Sequence, residues 1–259
     1  MTMDTSQSVK VWSDRYDRLL RVRLAQPKAN LIDAAMIAGL HEVLTKRITD
    51  SRLRAVLLDA EGPHFSFGAS VEEHLPAKCA AMLQSLHGLL LMMIEAPLPI
   101  LTAIRGQCLG GGLEVAMATT LIFAAPGARF GQPEVKLAVI APAASCLLPE
   151  RVGRAQAEDI LLSGRTLDSR EAFRIGLVHE VADDPEAAAL SYFDQHFAQL
   201  SASSVRFAVR AARMGMAERL RTALEAMEKV YLEELMATRD ALEGLKSFIE
   251  KRPPKWEAD

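Results

Sequence analysis

Apolar and polar positions along this chain switch period many times, and the switches outline its elements. Residues 9–12 and 19–24 alternate as two strands do, around a polar turn at Ser13-Asp14-Arg15. Pro27-Lys28-Ala29-Asn30 reads as a turn, and Asp33 is placed to cap a helix running to about Asp50, with Ile37, Leu40, Val43 and Leu44 on one face. Ala55-Val56-Leu57-Leu58 is a continuous apolar run, as a strand covered on both faces requires. Residues 79–95 have an apolar helical face that stops at Pro97 and Pro99, and a strand to Ile104 follows. A glycine cluster leads into a helical run over 113–120, then a strand over 121–125 and a turn at Pro126-Gly127. Beyond residues 135–140 the pattern is helical through Leu162, a short strand is expected over 178–181, and helix is expected from about Pro185 onward. Residues 1–8 read as a loose polar leader. Two-thirds of the chain therefore alternates strand and helix with a loose ββα rhythm, which suggests βαβ units. The last third is helical, and its high-propensity stretch over 223–249 either folds back on the core or covers a partner.

Composition narrows the class. The 259 residues suit one large domain or one domain with an appendage, and a hydrophobic half allows a substantial core. A net charge of −3 argues against a nucleic-acid surface and gives an anionic membrane nothing to attract. Cys79, Cys108 and Cys146 are scattered and odd in number, so they read as buried thiols of a reducing cytoplasm rather than a disulfide framework. His64, His74 and His87 show no ligand spacing, so no metal is expected. There is no basic-then-apolar leader, and the apolar run over 86–94 is too short to cross a bilayer.

The chemistry concentrates in Gln107-Cys108-Leu109-Gly110-Gly111-Gly112-Leu113-Glu114-Val115-Ala116. A strand that turns through glycines into a helix leaves main-chain N–H groups unpaired, and with the helix dipole these hold a negative oxygen. No Lys-Ser/Thr pair follows Gly112, so the run is not a phosphate loop, and the dinucleotide pattern fails at its third glycine. A second glycine turn, Gly68-Ala69, follows the buried strand. Glu114 lies one turn into the helix, and Glu134 comes twenty positions later after Phe130-Gly131-Gln132-Pro133, where proline stiffens the approach. Singly, these glycines read as tight turns and these acids as a dipole partner and a solvated loop residue. Jointly they equip a site for acid–base chemistry at an activated carbonyl.

From about Val9 to Trp256 the chain resembles the enoyl-CoA hydratase (crotonase) superfamily. Phe65-Ser66-Phe67-Gly68-Ala69, the run over 106–116, Phe130-Gly131-Gln132-Pro133-Glu134 and Phe248-Ile249-Glu250-Lys251-Arg252 carry the resemblance. It implies an α/β fold, a ClpP/crotonase-like spiral of ββα units over residues 1–195, with a C-terminal helical trimerisation region over 196–259. It implies oxyanion donors in the N–H groups of Ala69 and Gly111, beside Gly68 and Gly110, and hydratase acids in Glu114 and Glu134. Lys28, Ala29 and Asn30 would lie near the nucleotide of coenzyme A, and Phe248 and Lys251 would reach it from a neighbouring subunit. The acyl-CoA is itself the substrate, so no separate cofactor is implied, and the assembly would be a homotrimer or a dimer of trimers. Pro27 to Met36, the Phe67 and Ser70 flanking Gly68-Ala69, and the stretch Ala141-Pro142-Ala143-Ala144-Ser145 onward depart from ordinary hydratases, the last two where the resemblance implies that the acyl group would be held. They resemble the branch that hydrates a cyclic dienoyl-CoA thioester in anaerobic benzoyl-CoA breakdown, with Phe67, Met92, Ile140 and Cys146 as expected walls. The alternatives are a general enoyl-CoA hydratase or isomerase, a ring-opening hydrolase, and a non-catalytic RNA-binding relative. The last would use the basic run Arg206, Arg210, Arg213, Arg219 and Arg221, which helical spacing scatters around a rod.

Overall fold

A computed structural model describes residues 4–5 and 8–257; most of the expected leader lies outside the described residues, and Asp4–Thr5 form a short strand. The chain runs β1 (Asp4–Thr5), β2 (Val9–Asp14), β3 (Leu19–Leu24), α1 (Ala34–Arg47), β4 (Ala55–Ala60) and α2 (Cys79–Glu95). Next come β5 (Ile100–Ile104), β6 (Gln107–Leu109), α3 (Gly111–Met117), β7 (Leu121–Ala124), β8 (Arg129–Gly131) and α4 (Pro142–Val152). α5 (Arg154–Ser163), β9 (Thr166–Asp168), α6 (Ser169–Arg174) and β10 (Glu180–Val181) complete the α/β part. The helical remainder is α7 (Pro185–His196), α8 (Ala202–Ala212), α9 (Met216–Lys229) and α10 (Arg239–Ile249).

The main sheet has seven strands in the order β1-β2-β3-β4-β5-β7-β10, and β6-β8-β9 form a second, three-stranded sheet. From β3 to β10 every neighbouring pair in the main sheet is parallel. Parallel neighbours need a crossover, and the crossovers from β5 to β7 and onward from β7 carry the ββα rhythm. β5 and β7 lie in the main sheet, β6 and β8 in the small one, and α3 and α4 return the chain. After β4 the chain makes two single bridges, Ser66 with Cys108 of the small sheet and Ala69 with Ile32, just before α1. That third pass brings the Gly68 turn against the Gly110 turn.

The core fills both faces of the main sheet. Val56 and Leu58 join the large cluster under α1, α2 and α4, whereas Ala55 and Leu57 pack with Phe123 and Phe193 under α7. Full burial of each such large apolar side chain contributes about 1.5–3 kcal/mol. Arg21 and Asp59 are also buried, and Arg21, Arg23, Asp59 and Glu186 form an ion-pair network beneath α7 that leaves Arg21 Nε without a partner.

Several expectations shift. The first strand extends to Asp14 and the turn follows it, with Arg15, Tyr16 and Asp17 at positive φ. The Asp33 cap forms, its carboxylate accepting from Met36 N–H at 2.9 Å, but α1 stops at Arg47. Residues 107–109 are a strand, because their main chain pairs with β8. Pro133–Leu137 is a single 3-10 turn, ended by Ala138 at φ 53. The strand expected over 178–181 is reduced to Glu180–Val181. The helix-prone 223–249 stretch is broken by a π turn at Val230–Glu234 and a 3-10 turn at Leu235–Ala237. It folds back on its own chain: α9 packs on α2 and α4, and α10 on the turns at Val71–His74 and Pro133–Leu137. Cys79, Cys108 and Cys146 are free thiols, and no helix among the described residues is long and apolar enough to cross a membrane.

Candidate active site

Two glycine turns meet main chain to main chain. Ser66, wholly buried, donates its N–H to the Gln107 carbonyl (2.9 Å) and accepts from Leu109 N–H (3.1 Å), while its Oγ accepts from Gly68 N–H (3.1 Å). Gly68 has φ +109 and Gly110 φ +49, in the region that glycine enters without strain. A Cβ on Gly112 would lie 2.5 Å from Ser66 Cβ, and one on Gly111 would lie 3.2 Å from the Ala69 nitrogen. Only hydrogen fits at Gly112, so the triplet is required by close approach. The approach sets the N–H of Ala69 beside that of Gly111, and among the described residues neither donates to a protein acceptor. Gly111 is also the first residue of α3, whose dipole favours negative charge there.

Two carboxyl groups face the same space. Glu114 is 5% exposed, and its Oε1 accepts from Ala144 N–H (2.8 Å) at the start of α4. Burial raises its pKa; the Ala144 amide, the charge of His87 and the Ala143 amide pull it down. Glu134 enters from the Pro133 turn, and its carboxyl lies so close to Gly110 that a Cβ there would sit 2.6 Å from Oε1. Burial, reinforced by the charge of Glu114, pushes Glu134 up to about 8. Burial raises both carboxyls and the charge of Glu114 adds to the rise at Glu134, so the two titrate as a coupled pair. Gln132, buried beside them, suits either state of Glu134. With its nitrogen toward the carboxylate it donates to both oxygens, at 3.1 and 3.2 Å. Reversed, its nitrogen approaches the Gly110 carbonyl (3.4 Å) and its oxygen faces the carboxyl, as a protonated acid requires.

Both acids and Gly68, Ala69, Gly110 and Gly111 line one cavity of about 260 Å³. Its other walls are mainly apolar, with Phe67, Ile140 and Pro142, then Met82, Leu83 and Leu86 from α2, and Leu245 and Phe248 of α10 closing it, while His74 and Lys136 add two polar side chains to the lining. Pro142 is tolerated at the first position of α4 because that N–H has no helical partner. Two unpaired main-chain amides, two buried carboxyls and a mainly apolar chamber can together activate a carbonyl and move a proton to or from carbon.

The remaining expected residues fall elsewhere. Asn30 is buried and braces loops: it donates to the Glu61 (2.9 Å) and His64 (3.0 Å) carbonyls and accepts from Gln26 N–H (3.0 Å). Ala29 supplies the carbonyl that holds Phe67 N–H at 2.9 Å, and Lys28 is exposed at φ +95. None of these three lines the cavity, nor do Ser70, whose hydroxyl donates to Glu72 (3.0 Å), or the exposed Lys251. Phe248, expected at a neighbouring subunit's site, lines the cavity of its own chain. Two expected walls are corrected. Met92 lies on another face of α2, its sulfur 4.0 Å from Thr45 of α1, and Cys146 lines a separate hollow with Met216 and Leu220. The helical turn that carries Met82 and Leu86 to the cavity carries Met92 away. The sequence reading missed Leu245, His74 and Gln132 as site residues. Gln132 could have been found beside Pro133-Glu134; His74, whose imidazole burial pushes below its ordinary range, carried no signal.

Comparison with known proteins agrees with this geometry. The sequence model of the enoyl-CoA hydratase/isomerase family matches residues 14–259. The cyclohexa-1,5-dienecarbonyl-CoA hydratase of Thauera aromatica is 62% identical over 254 residues, covering 98% of each chain. A probable enoyl-CoA hydratase of Mycobacterium leprae is 33% identical over 253 residues, covering 94% of this chain and 96% of the relative. The crystal structure of an enoyl-CoA hydratase/isomerase from Pseudoalteromonas atlantica superimposes with a TM-score of 0.82 at 30% identity, covering 96% of this chain and 99% of that one. Fold, glycine turns and sequence agree, and the chain belongs to the enoyl-CoA hydratase/isomerase family.

Proposed function

We propose that this chain is a hydro-lyase that adds water to cyclohexa-1,5-diene-1-carbonyl-CoA, giving 6-hydroxycyclohex-1-ene-1-carbonyl-CoA, in anaerobic benzoyl-CoA degradation. The observation that carries the chemistry is a pair of buried acids sharing a cavity with two unpaired amides. The likeness to the Thauera aromatica hydratase supports the choice of substrate.

In this reading the N–H groups of Ala69 and Gly111 hold the thioester oxygen. Glu114, as the carboxylate, takes a proton from water while the water oxygen bonds to the β-carbon. The alkene electrons move onto the carbonyl oxygen, and the resulting enolate extends over the second double bond. Its electrons return through that bond and take the proton of Glu134 at the γ-carbon, leaving an alkene conjugated with the thioester. Transfer of the water-derived proton from Glu114 to Glu134 resets the pair. Fixed donors stabilise the growing negative charge without reorganising; losing one costs about 2.7–4 kcal/mol in comparable sites. The apolar walls suit a flat ring. Lys28, Ala29, Asn30 and Lys251 are assigned to the outer, coenzyme A end, with Ser70 at the rim. The reading includes a homotrimer or dimer of trimers acting in the cytoplasm.

Product analysis with cyclic diene, cyclic monoene and crotonyl thioesters tests it. Turnover is expected with the diene and lost in Glu134→Gln; preference for crotonyl-CoA, or a Glu134→Gln enzyme as fast as the parent, would overturn it.

A further inference from the structure

Arg151, in the last turn of α4, holds the C-terminal end of α3. Its Nε donates to the Met117 carbonyl (3.1 Å) and its Nη1 to that of Thr120 (3.3 Å), while Nη2 donates to the carbonyls of Met117 and Thr119. A helix end leaves its last carbonyls without partners, and here one guanidinium serves three carbonyls at and just beyond that end. Among the described residues no carboxylate pairs with it. Burial and the charge of nearby Arg213 lower it to about 10, so it remains a cation. A glycine or a water would end a helix without the cost of a desolvated, unneutralised charge.

α3 is seven residues long, about 10 Å. At that length its own hydrogen bonds do not fix it, and its direction is set by what holds its two ends. Gly111 is its first residue and Glu114 lies in its first turn, so a tilt moves both. Arg151 ties the other end to the main sheet. Thr120 N–H donates to the Ile100 carbonyl of β5 (2.7 Å), and Thr120 Oγ1 accepts from Ile100 N–H (2.9 Å) and from Arg213 (2.8 Å). The same helix that carries Arg151 also holds Glu114, through the Ala144 N–H (2.8 Å) about two turns earlier. α4 thus grips α3 both at its catalytic side chain and at its terminus.

We propose that Arg151 is a positioning residue for the reaction: by anchoring the end of α3 to the sheet, it keeps the Gly111 amide on the thioester oxygen and Glu114 on the water. Arg151 does not line the cavity and touches no substrate. The inference rests on the roles given above to Gly111 and Glu114.

The test compares the parent, Arg151→Met and Arg151→Lys. Steady-state kinetics use the cyclic dienoyl-CoA, and infrared spectra follow the bound product thioester, isotope-labelled at its carbonyl. Circular dichroism gives the folded fraction, and rates are expressed per folded protein. Arg151→Met keeps an unbranched stem and removes every donor, so kcat is expected to fall by about 10²-fold with KM within about twofold of the parent. The carbonyl stretch, lowered in the parent by the two amides, is expected to move back toward that of the free thioester. Arg151→Lys keeps a cation but reaches fewer carbonyls at once, so it should recover about tenfold of the lost rate, and it serves in place of the Met variant should that not fold. A folded variant with the parent's kcat and carbonyl frequency, or a loss confined to Tm, would overturn the positioning role alone. If the parent itself leaves the carbonyl stretch where the free thioester has it, the oxyanion assignment fails, and the role of Arg151 with it.

Discussion

Glu134 keeps its proton at neutral pH because burial and the charge of Glu114 both disfavour its carboxylate, lifting it from an ordinary 4.5 to about 8. Catalysis that needs this proton should decline above about pH 8, as the basic limb of a kcat profile. The same shift burdens stability. Between 4.5 and about 8 the folded chain holds a proton that the unfolded chain releases, so stability falls as pH rises through that window and levels above it. Glu134→Gln, which cannot ionise, is therefore expected to raise Tm by several degrees at pH 8 and by almost nothing near pH 4.5. Thermal denaturation at the two pH values checks this, and an equal shift at both would refute the account. Both glutamates were legible in the sequence because they stand beside glycine and proline punctuation. Asn30 was legible only as a resemblance, and its side chain is spent on the Glu61 and His64 carbonyls rather than turned to the cavity.

The site depends on how closely one loop approaches one helix start. Gly112→Ala would put a methyl carbon 2.5 Å from Ser66 Cβ and within 2.6 Å of the Oγ that holds Gly68 N–H. The Gly68-Ala69 turn must then move, and a displacement of this order is expected to lower kcat by about 10²-fold. Gly127→Ala is the control, since nothing lies within 4 Å of its added carbon. Steady-state kinetics on the two variants checks the contrast, and equal rates would mean that the approach of the turns is unimportant. At this scale α2 was legible to the residue, because seventeen positions of apolar periodicity end in two prolines. β6 and β9 were not, since each has three residues and exists through pairing with β8, far away in sequence.

Across the whole molecule, the cavity is closed by α10, the last helix, packed on the turn that carries Glu134. Gly244 makes this possible: a Cβ there would meet the Leu137 carbonyl oxygen at 2.0 Å. Gly244→Val should push α10 away, costing about 1–3 kcal/mol of stability, and should raise KM by drawing Leu245 and Phe248 from the wall. Chemical denaturation and acyl-CoA kinetics measure both effects; a rise in KM without loss of stability would point to a different closure.

Local order along the chain was enough to establish the α/β alternation, the doubly covered strand at 55–58, the two glycine turns and the two acids. Each is written in neighbouring residues: a period, a missing Cβ, a locked φ. Contacts between distant segments had to settle the rest: the Ala69 and Gly111 amides side by side, the raised proton affinity of Glu134, Met92 and Cys146 outside the cavity, and α10 over its mouth. Burial, electric field and close approach arise between parts of the chain far apart in sequence, so no local pattern encodes them.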